Sequence, residues 1–201
     1  MNRTIGITGN ICVGKSSITD ILLQIGEEIL SYDLFIYNAY ADPKCQEEIV
    51  SHFGESIILN NKLDRTLLKI YLKEHPEDSK KIWKITDRYI DPKIEKSLRE
   101  NSGLLFFECA PLYEKSLDRF CDRVIACYTS DELRIERLIK RAKERDGFLL
   151  TREEAVAVIG QQTMSQEEKV KRADYAVYNN GTHDELRKSV MIIYDQIRSK
   201  K

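Results

Sequence analysis

The 201-residue sequence is poor in the features that define several large classes of protein. It has only 4 prolines and 9 glycines, and no repeat or low-complexity linker divides it, so we expect one domain or one domain with insertions. The 32 Lys and Arg residues nearly balance 33 Asp and Glu residues, which leaves a net charge of −1. Because a nucleic-acid binder usually carries a clearly basic surface, this balance predicts no nucleic-acid partner, although a local basic pocket stays compatible with it.

Long apolar runs and paired cysteines are also missing. The apolar run at residues 104–107 has the length of a strand, and no run approaches the ~18–20 residues of a membrane span, so no membrane association is expected. Residues 1–9 resemble a buried strand and have neither the charged region nor the apolar stretch of a signal peptide. The 5 cysteines contain no Cys-x-x-Cys pair, which predicts reduced thiols and a cytoplasmic location.

What the sequence does contain is an alternation of predicted strands and helices, which is typical of a parallel sheet with helices on both faces. The helix after the strand at 123–128 is expected to begin at a capping box from Thr129 to Glu132. Strands are predicted at 5–8, 28–32, 104–107, 123–128 and 173–178, and helices at 15–25, about 130–145, from 151 onward, and 183–199.

The segment 34–100 interrupts this alternation. It is predicted to be mostly helical, with breaks at Pro43, Gly54, Pro76 and Pro92. At about 67 residues it is too long for an ordinary crossover connection between strands. We therefore interpret it as an inserted helical subdomain.

The strongest signal is a glycine-rich loop, Gly9-Asn10-Ile11-Cys12-Val13-Gly14-Lys15-Ser16, which fits Gly-x4-Gly-Lys-[Ser/Thr] at every fixed position. Glycines let the backbone wrap around a phosphate, so that several N–H groups converge on its oxygens. Lys15 would place a positive charge on the terminal phosphates of ATP, and the Ser16 hydroxyl would ligate Mg²⁺. The helix that follows directs its positive N-terminus at the same anion. The predicted ATP contacts in this loop are Gly9, Ile11, Cys12, Val13, Gly14, Lys15, Ser16 and Ser17.

Other residues supply what a small-molecule kinase needs besides a phosphate loop. Glu108 ends the apolar strand 104–107, where a carboxylate would hold the magnesium through water. Asp33 follows the second predicted strand and is suited to accept the proton of an acceptor hydroxyl. The basic run from Arg137 to Arg145 suits a lid that closes over ATP and excludes water. Arg65, at the start of the helical insertion, is a candidate contact for an anionic acceptor.

One motif points in another direction. Asn61-Lys62-Leu63-Asp64 matches the Asn-Lys-x-Asp guanine-binding motif of GTPases. It precedes the strand of Glu108 instead of following it, no strand is predicted before it, and the sequence contains no Asp-x-x-Gly switch. We therefore interpret the chain as a small-molecule kinase. A nucleoside or nucleoside-monophosphate kinase, and a nucleotide-binding regulator without catalysis, stay open as alternatives.

Taken in order along the chain, these motifs resemble the dephospho-coenzyme A kinase family from Ile5 to about Arg187. Leu30-Ser31-Tyr32-Asp33 stands where the family has Ile-Asp-Ala-Asp, and residues 63–68 are similar to its Leu-Asp-Arg-x-x-Leu, which explains the apparent guanine motif. Residues 108–114 loosely resemble its Asp-x-Pro-Leu-Leu-Phe-Glu. The lid and the C-terminal signature are matched by Arg141-x3-Arg145-Asp146-Gly147 and Lys169-x3-Ala173-Asp174-x4-Asn179-x-Gly181.

The resemblance implies a P-loop kinase fold, with a parallel five-stranded sheet flanked by helices. The core would comprise residues 1–33 and 101–201, the acceptor-binding insertion about 34–100, and the lid about 137–165. The implied reaction transfers the γ-phosphate of ATP to the ribose 3′-hydroxyl of dephospho-coenzyme A, the last step of coenzyme A synthesis. The resemblance leaves a monomer and a small homo-oligomer equally open.

The resemblance also implies roles for single residues. Asp33 would accept or orient the hydroxyl proton, Arg141 would close over the transition state, and Arg145 would support it. Asn179 and Gly181 resemble the adenine-side loop of nucleotide kinases and join the predicted ATP contacts. The acceptor would be held by Asp33 and Arg65, and the metal by Ser16 and Glu108.

Departures from the family pattern yield further expectations. Asp91 replaces the His of a His-Pro element, and a family Gln is displaced toward Gln161 and Gln162, so we assign no role to these positions. The phosphate loop has Gly-Asn-Ile-Cys-Val-Gly where the family usually has Gly-Gly-Ile-Gly-Ser-Gly. Two glycines are thus replaced, which predicts a stiffer loop in which Asn10 adopts a left-handed conformation.

Overall fold

The computed structural model describes residues 3–145, 147 and 149–199, apart from the side chain of Lys73. Asp146, which belongs to the predicted lid motif, lies outside the described residues. The chain divides into two compact units, one made of Met1–Leu30 with Asn101–Lys201, and the other of Ser31–Glu100. In the described part of the chain, no helix combines the length and the apolar character needed to cross a bilayer.

The secondary structure alternates as an α/β protein requires. In chain order the strands are β1 (Arg3–Thr8), β2 (Glu28–Ser31), β3 (Ile58–Leu59), β4 (Lys62–Leu63), β5 (Leu104–Glu108), β6 (Arg123–Tyr128) and β7 (Tyr175–Tyr178). The helices are α1 (Lys15–Gln24), α2 (Tyr32–Ala41), α3 (Pro43–Phe53), α4 (Arg65–Glu74), α5 (Ser79–Arg99), α6 (Asp131–Glu144), α7 (Arg152–Gly160), α8 (Gln166–Arg172) and α9 (His183–Ser199).

A five-stranded sheet with the order β2-β5-β1-β6-β7 forms the centre of the first unit. Strand β1 runs parallel to both of its neighbours, β5 and β6, and β6 runs parallel to β7. The carboxyl ends of these four strands therefore meet at one edge of the sheet, where Ile7 lies in register with Glu108. This edge carries the phosphate loop after β1, and the predicted parallel α/β fold is confirmed.

The core of this unit is built from apolar side chains of the sheet and of two covering helices. Ile5, Ile7 and Phe106 are fully buried because their strands lie inside the sheet. Helices α1 and α9 contribute buried residues at helical spacing, among them Ile18 and Val190. Burial of each such side chain stabilises the fold by roughly 1.5–3 kcal/mol, so the strands that end at the site rest on a rigid base.

In the helical unit, the structure corrects two expectations. Helix α5 continues through Pro92, so the predicted break is wrong. An interior proline removes one backbone hydrogen bond, but buried residues on both sides of it, including Ile90 and Ile94, hold the helix in place. A strand does precede the apparent guanine motif, because β3 and β4 form an antiparallel hairpin across Asn60 and Asn61. Both asparagines have positive φ angles, 51° and 60°, as tight hairpin turns require.

The start of α6 also differs from the prediction. The N-cap is Ser130, whose hydroxyl accepts a hydrogen bond from the backbone N–H of Leu133. Thr129 is fully buried instead, and its hydroxyl donates to the backbone carbonyl of Asn179. The predicted capping box at Thr151 is confirmed. A second capping box, from Ser165 to Glu168, begins α8, a helix that we did not predict.

Candidate active site

The phosphate loop joins β1 to α1 and contains backbone conformations that exclude most side chains. Gly9 and Gly14 have φ angles of 146° and 101°. A Cβ atom on Gly9 would lie 2.6 Å from the carbonyl oxygen of Cys127, and one on Gly14 would collide with the Asn179 side-chain amide. Glycine is therefore required at both positions.

Among the non-glycine residues of the loop, Cys12 and not Asn10 adopts the left-handed conformation. Cys12 has a φ angle of 61°, and Asn10 is absent from the described residues with positive φ. Asn10 is buried, and its side-chain Nδ2 donates to the backbone carbonyl of Met164 at 3.0 Å. In the family pattern given above, glycine stands at the position of Cys12. The left-handed backbone conformation of this position costs a residue with a side chain roughly 1–2 kcal/mol.

Lys15 begins α1 and lies against the loop that it is predicted to serve. Its ammonium group donates to the carbonyl oxygens of Gly9 at 3.0 Å and Asn10 at 3.2 Å. Ser16 follows in the first turn of the helix and is exposed. The charge of Lys15, the hydroxyl of Ser16 and the helix N-terminus therefore lie at one end of α1, as phosphate binding requires.

Arg137 of α6 and Asn179, which directly follows β7, brace the loop. The Nη1 atom of Arg137 donates to the carbonyl of Val13 at 3.3 Å, and Nη2 donates to the carbonyl of Asn179 at 3.0 Å. The Nδ2 atom of Asn179 donates to the same Val13 carbonyl at 2.8 Å. Asn179 is buried, so this predicted ATP contact also holds the phosphate loop itself. The second residue predicted on this loop, Gly181, lies beside the Glu185 side chain at the start of α9.

Arg134 makes a second connection from α6 to the tip of the loop. Only 3% of this residue is exposed, and its Nε donates to the carbonyl of Ile11 at 3.1 Å. Its Nη1 pairs with Asp131 at 2.7 Å, and Asp131 accepts a further hydrogen bond from Gln166 of α8. Gln162, for which we predicted no role, accepts a hydrogen bond from the Ile11 N–H at 3.4 Å.

Positive charge concentrates around this loop. Arg141, Lys15, Arg134 and Arg137 all act to lower the pKa of the Cys12 thiol. Burial has the larger effect and raises the pKa of Cys12 above its ordinary value. Arg141 has the largest influence of the four cations, which places its charge near the loop, while Arg145 is exposed at the end of α6. A net charge of −1 therefore conceals a local basic site that suits polyphosphate.

The residues predicted to hold Mg²⁺ have the right chemistry for it. Ser16 lies in the first turn of α1, and Glu108 is the last residue of β5. No cluster of three or more metal-binding side chains occurs among the residues that the structure describes. Mg²⁺ with a nucleotide needs no such cluster, because phosphate oxygens and waters supply most of its ligands and the protein adds one or two oxygens.

The predicted acceptor residues belong to the other unit. Asp33 is exposed in the first turn of α2, where the helix dipole favours a negative charge. Arg65 is the first residue of α4, directly after the N-cap Asp64, whose carboxylate accepts from the N–H groups of Thr66 and Leu67. Within this unit Asp33 and Arg65 each lie in the first turn of a helix, so the helix backbone fixes the position of their Cα atoms.

Several residues of the site were missed from the sequence. One face of α6 carries three arginines spaced three and four residues apart, Arg134, Arg137 and Arg141. This spacing would have predicted that all three lie near the same element, the phosphate loop. The basic run that we interpreted as a lid begins at Arg137, so Arg134 was not assigned to the site. The role of Thr129 had no such signal, because its pattern with Glu132 is also that of a capping box.

Lys169 holds the segment that follows Glu108, and its loss is expected to be costly. It is 2% exposed, and its ammonium donates to the carbonyl of Ala110 at 2.7 Å and to Glu114 at 2.8 Å. Thr8, just before the phosphate loop, donates to the same carbonyl. Replacing Lys169 by Met leaves Glu114 without its charged partner, so we expect a destabilisation of about 3 kcal/mol, measured by urea denaturation.

The matched control for that experiment is Lys171→Met, because Lys171 is exposed on the same helix. We expect the control to change stability by less than about 0.5 kcal/mol. The double variant Lys169→Met/Glu114→Gln should recover part of the loss, since it removes the uncompensated charge. Equal stability of Lys169→Met and Lys171→Met would contradict the proposed structural role of the pair.

Comparison with known proteins assigns this arrangement to a family. The family model described as dephospho-CoA kinase matches residues 3–185. The dephospho-CoA kinase of Fusobacterium nucleatum is 32% identical over 192 residues, covering 92% of this chain and 94% of the relative. That of Geobacillus kaustophilus is 32% identical over 203 residues, covering 98% and 97% of the two chains.

Solved structures agree with the sequence comparison. The dephospho-CoA kinase from Campylobacter jejuni superimposes with a TM-score of 0.69 at 26% identity, covering 98% of both chains. TT1252 from Thermus thermophilus gives a TM-score of 0.77 at 27% identity, again with 98% of both chains covered. Shikimate kinase from Bacteroides thetaiotaomicron, with a TM-score of 0.53 at 12% identity, shares the fold alone.

Proposed function

This chain belongs to the dephospho-CoA kinase family, and from that membership we propose how its own residues carry out the reaction. The chain is an ATP-dependent kinase of coenzyme A biosynthesis that acts on dephospho-CoA. The γ-phosphate of ATP passes to the ribose 3′-hydroxyl of the acceptor, and ADP leaves. Such a transfer needs little covalent participation by the protein, so the residues act by positioning and by stabilising charge.

The phosphate loop and α1 bind the phosphates of ATP. Lys15, whose ammonium already lies on the loop carbonyls, exchanges those contacts for β- and γ-phosphate oxygens. The backbone N–H groups of Gly9, Ile11, Cys12, Val13, Gly14, Ser16 and Ser17 complete the cradle. Ser16 and Glu108 would hold Mg²⁺, which neutralises charge on the phosphates when it is bound.

The arginines of α6 stabilise the transferred group. Arg141 neutralises the charge that develops on the γ-phosphoryl oxygens, and Arg145 supports it. Asn179 and Gly181 contact the adenine side of ATP. Hydrogen bonds from Arg137 and Asn179 to the Val13 carbonyl support a role of these two elements at the ATP site, because they fix the phosphate loop before the nucleotide binds.

Asp33 and Arg65 act on the acceptor. Asp33 orients the 3′-hydroxyl and accepts its proton as the new P–O bond forms. Arg65 binds the acidic pyrophosphate of dephospho-CoA through its planar, bidentate guanidinium group. We propose that the helical segment 34–100 holds the acceptor and that the segment 137–165 is a lid, on the core formed by residues 1–33 and 101–201.

The cellular setting follows from the same function. A biosynthetic kinase that uses ATP fits a cytoplasmic location, and the free cysteines among the described residues are compatible with a reducing compartment. The functional unit is a monomer or a small homo-oligomer.

The observation that carries this proposal is the intact phosphate loop, with Lys15 and three arginines concentrated around it in a chain that the family matches over 183 of its residues, 3–185. The test is a coupled ADP-release assay with dephospho-CoA, adenosine and AMP as alternative acceptors. We expect turnover with dephospho-CoA and a kcat/KM at least about 100-fold lower with the other two, because a charged group of the acceptor is then missing from its site.

Other outcomes of that assay assign the chain differently. Preferred turnover of adenosine or AMP would make it a nucleoside or nucleoside-monophosphate kinase. Binding of ATP without ADP release for any acceptor would make it a nucleotide-binding regulator. Detection of the 3′-phosphorylated product by mass spectrometry distinguishes transfer to the acceptor from hydrolysis of ATP.

A further inference from the structure

Helix α2 exposes two apolar side chains, Leu34 and Tyr37, to solvent beside the proposed catalytic carboxylate. Asp33, Leu34, Tyr37 and Asn38 are all exposed and occur at positions i, i+1, i+4 and i+5, so they share one face of the helix. Leu34 is 55% exposed and Tyr37 is 56% exposed. The opposite face is buried at Ala39. The ring of Tyr37 therefore does not belong to the core, although it lies only one helical turn from Asp33.

Arg65 is the partner of this ring. Its guanidinium carbon lies 5.8 Å from the centroid of the Tyr37 ring, within the range of a cation–π contact. The charge of Arg65 also acts to lower the pKa of Tyr40, one turn further along α2, although burial raises that pKa overall. Arg65 thus faces α2 from the beginning of α4.

The position of Arg65 is unfavourable for the stability of α4 itself. A cation at the first residue of a helix opposes the helix dipole, which favours anions at that end. In the part of the chain that the structure describes, no carboxylate within ion-pair distance neutralises Arg65. The neighbouring Asp64 already accepts two backbone hydrogen bonds as the N-cap. An unneutralised guanidinium held over an exposed aromatic ring is an arrangement that serves an anionic ligand.

We propose that Tyr37 is a positioning residue of the acceptor site, which holds the guanidinium of Arg65 toward the pyrophosphate of dephospho-CoA. The inference rests on the proposed function, because the acceptor is taken from it. Dephospho-CoA carries its reacting 3′-hydroxyl and its 5′-pyrophosphate on the same ribose. The groups that bind the two must therefore lie close together, and residues four apart on a helix have Cβ atoms about 5–6 Å apart.

The role of the ring is to reduce the freedom that Arg65 loses on binding. A free arginine side chain samples many rotamers, and ordering it opposes binding of the phosphate. The Tyr37 ring favours one orientation and leaves the planar edge of the guanidinium free for a bidentate contact. Loss of the ring is expected to weaken acceptor binding by about 2–5-fold, the range for an exposed cation–π contact. Because Tyr37 acts through Arg65, kcat should stay nearly constant.

The test compares Tyr37→Leu, Tyr37→Phe, Arg65→Met and the double variant Tyr37→Leu/Arg65→Met with the wild type. The Kd of dephospho-CoA is measured calorimetrically without ATP, and KM and kcat are measured in the ADP-release assay. Tyr37→Leu should raise Kd and KM by about 2–5-fold. Tyr37→Phe retains the ring and should restore both. In the Arg65→Met background, Tyr37→Leu should have no further effect on Kd.

Trp83→Leu is the matched control, because Trp83 is a 57% exposed aromatic residue of the same helical unit. It should leave Kd unchanged. The inference is overturned if Tyr37→Leu binds dephospho-CoA like the wild type, or if it weakens binding equally with and without Arg65. A wild type that binds and phosphorylates dephospho-CoA would leave the proposed function intact in either case. A wild type that does neither would overturn both.

Discussion

Replacement of Lys15 by Met is expected to lower the kcat of phosphoryl transfer by about 10²–10³-fold, as the loss of one preorganised donor to developing charge does in other enzymes. Lys15 is the charge placed closest to the loop backbone, through its contacts with the carbonyls of Gly9 and Asn10. Charge builds up on the β–γ bridging region as the phosphoryl group departs, and a point charge there stabilises the transition state more than the ground state. The measurement is kcat with saturating ATP and dephospho-CoA.

The control for this experiment is Lys188→Met, an exposed lysine of α9, which should retain wild-type kcat. Lys15 also contacts the loop, so thermal unfolding is measured in parallel to separate catalysis from folding. A Lys15→Met variant that folds and keeps kcat within about tenfold of the wild type would contradict the proposed role, because that loss is too small for a transition-state donor.

Much of the fold could be predicted because its signals are local. The apolar strands, the phosphate loop and the capping box at Thr151 are each specified by residues close together in sequence. The errors arose where a distant contact overrides the local pattern. Pro92 breaks no helix because buried neighbours hold both of its sides, and Thr129 leaves its apparent cap to donate to Asn179. Local propensity cannot report either contact.

The candidate site divides in the same way. Lys15 and the glycines were found from spacing alone, because a phosphate cradle requires those residue types in that order. The braces from Arg134 and Arg137 connect residues more than 120 positions apart, and only the fold shows that α6 lies beside the loop. We predicted a left-handed conformation at Asn10, but among the two residues that replace glycines it is Cys12 that has a positive φ.

The two proposed binding sites, for ATP and for the acceptor, both depend on how charge is arranged in a nearly neutral chain. Four basic residues of the first unit lie around the phosphate loop, namely Lys15, Arg134, Arg137 and Arg141. Arg65 of the helical unit stands at a helix N-terminus without an ion pair among the described residues. Acidic residues balance these charges elsewhere on the chain, so the net value of −1 contains no information about either site.

Replacement of Asp33 by Asn is expected to lower kcat by about 10²–10⁴-fold, the usual contribution of a general base. The substitution preserves size and retains a hydrogen-bond acceptor, but it removes the group that can accept a proton. The effect on folding should be small, because an exposed acid in the first turn of a helix contributes only about 0.3–1 kcal/mol through the helix dipole. The matched control is Glu47→Gln, an exposed carboxylate of α3 in the same unit, which should keep the wild-type kcat.

The size of the loss in Asp33→Asn distinguishes two roles for the carboxylate. In a loose transition state the attacking hydroxyl keeps its proton until late, so proton removal is worth little and orientation is worth more. A general base, by contrast, predicts a large loss in kcat with little change in KM for dephospho-CoA. A group that only orients the hydroxyl predicts a loss of less than about tenfold, because the side-chain carbonyl oxygen of the substituted asparagine would still accept the hydrogen bond. That smaller loss would reject proton acceptance by Asp33 and assign it to positioning, with the helix N-terminus of α2 as the element that fixes its place.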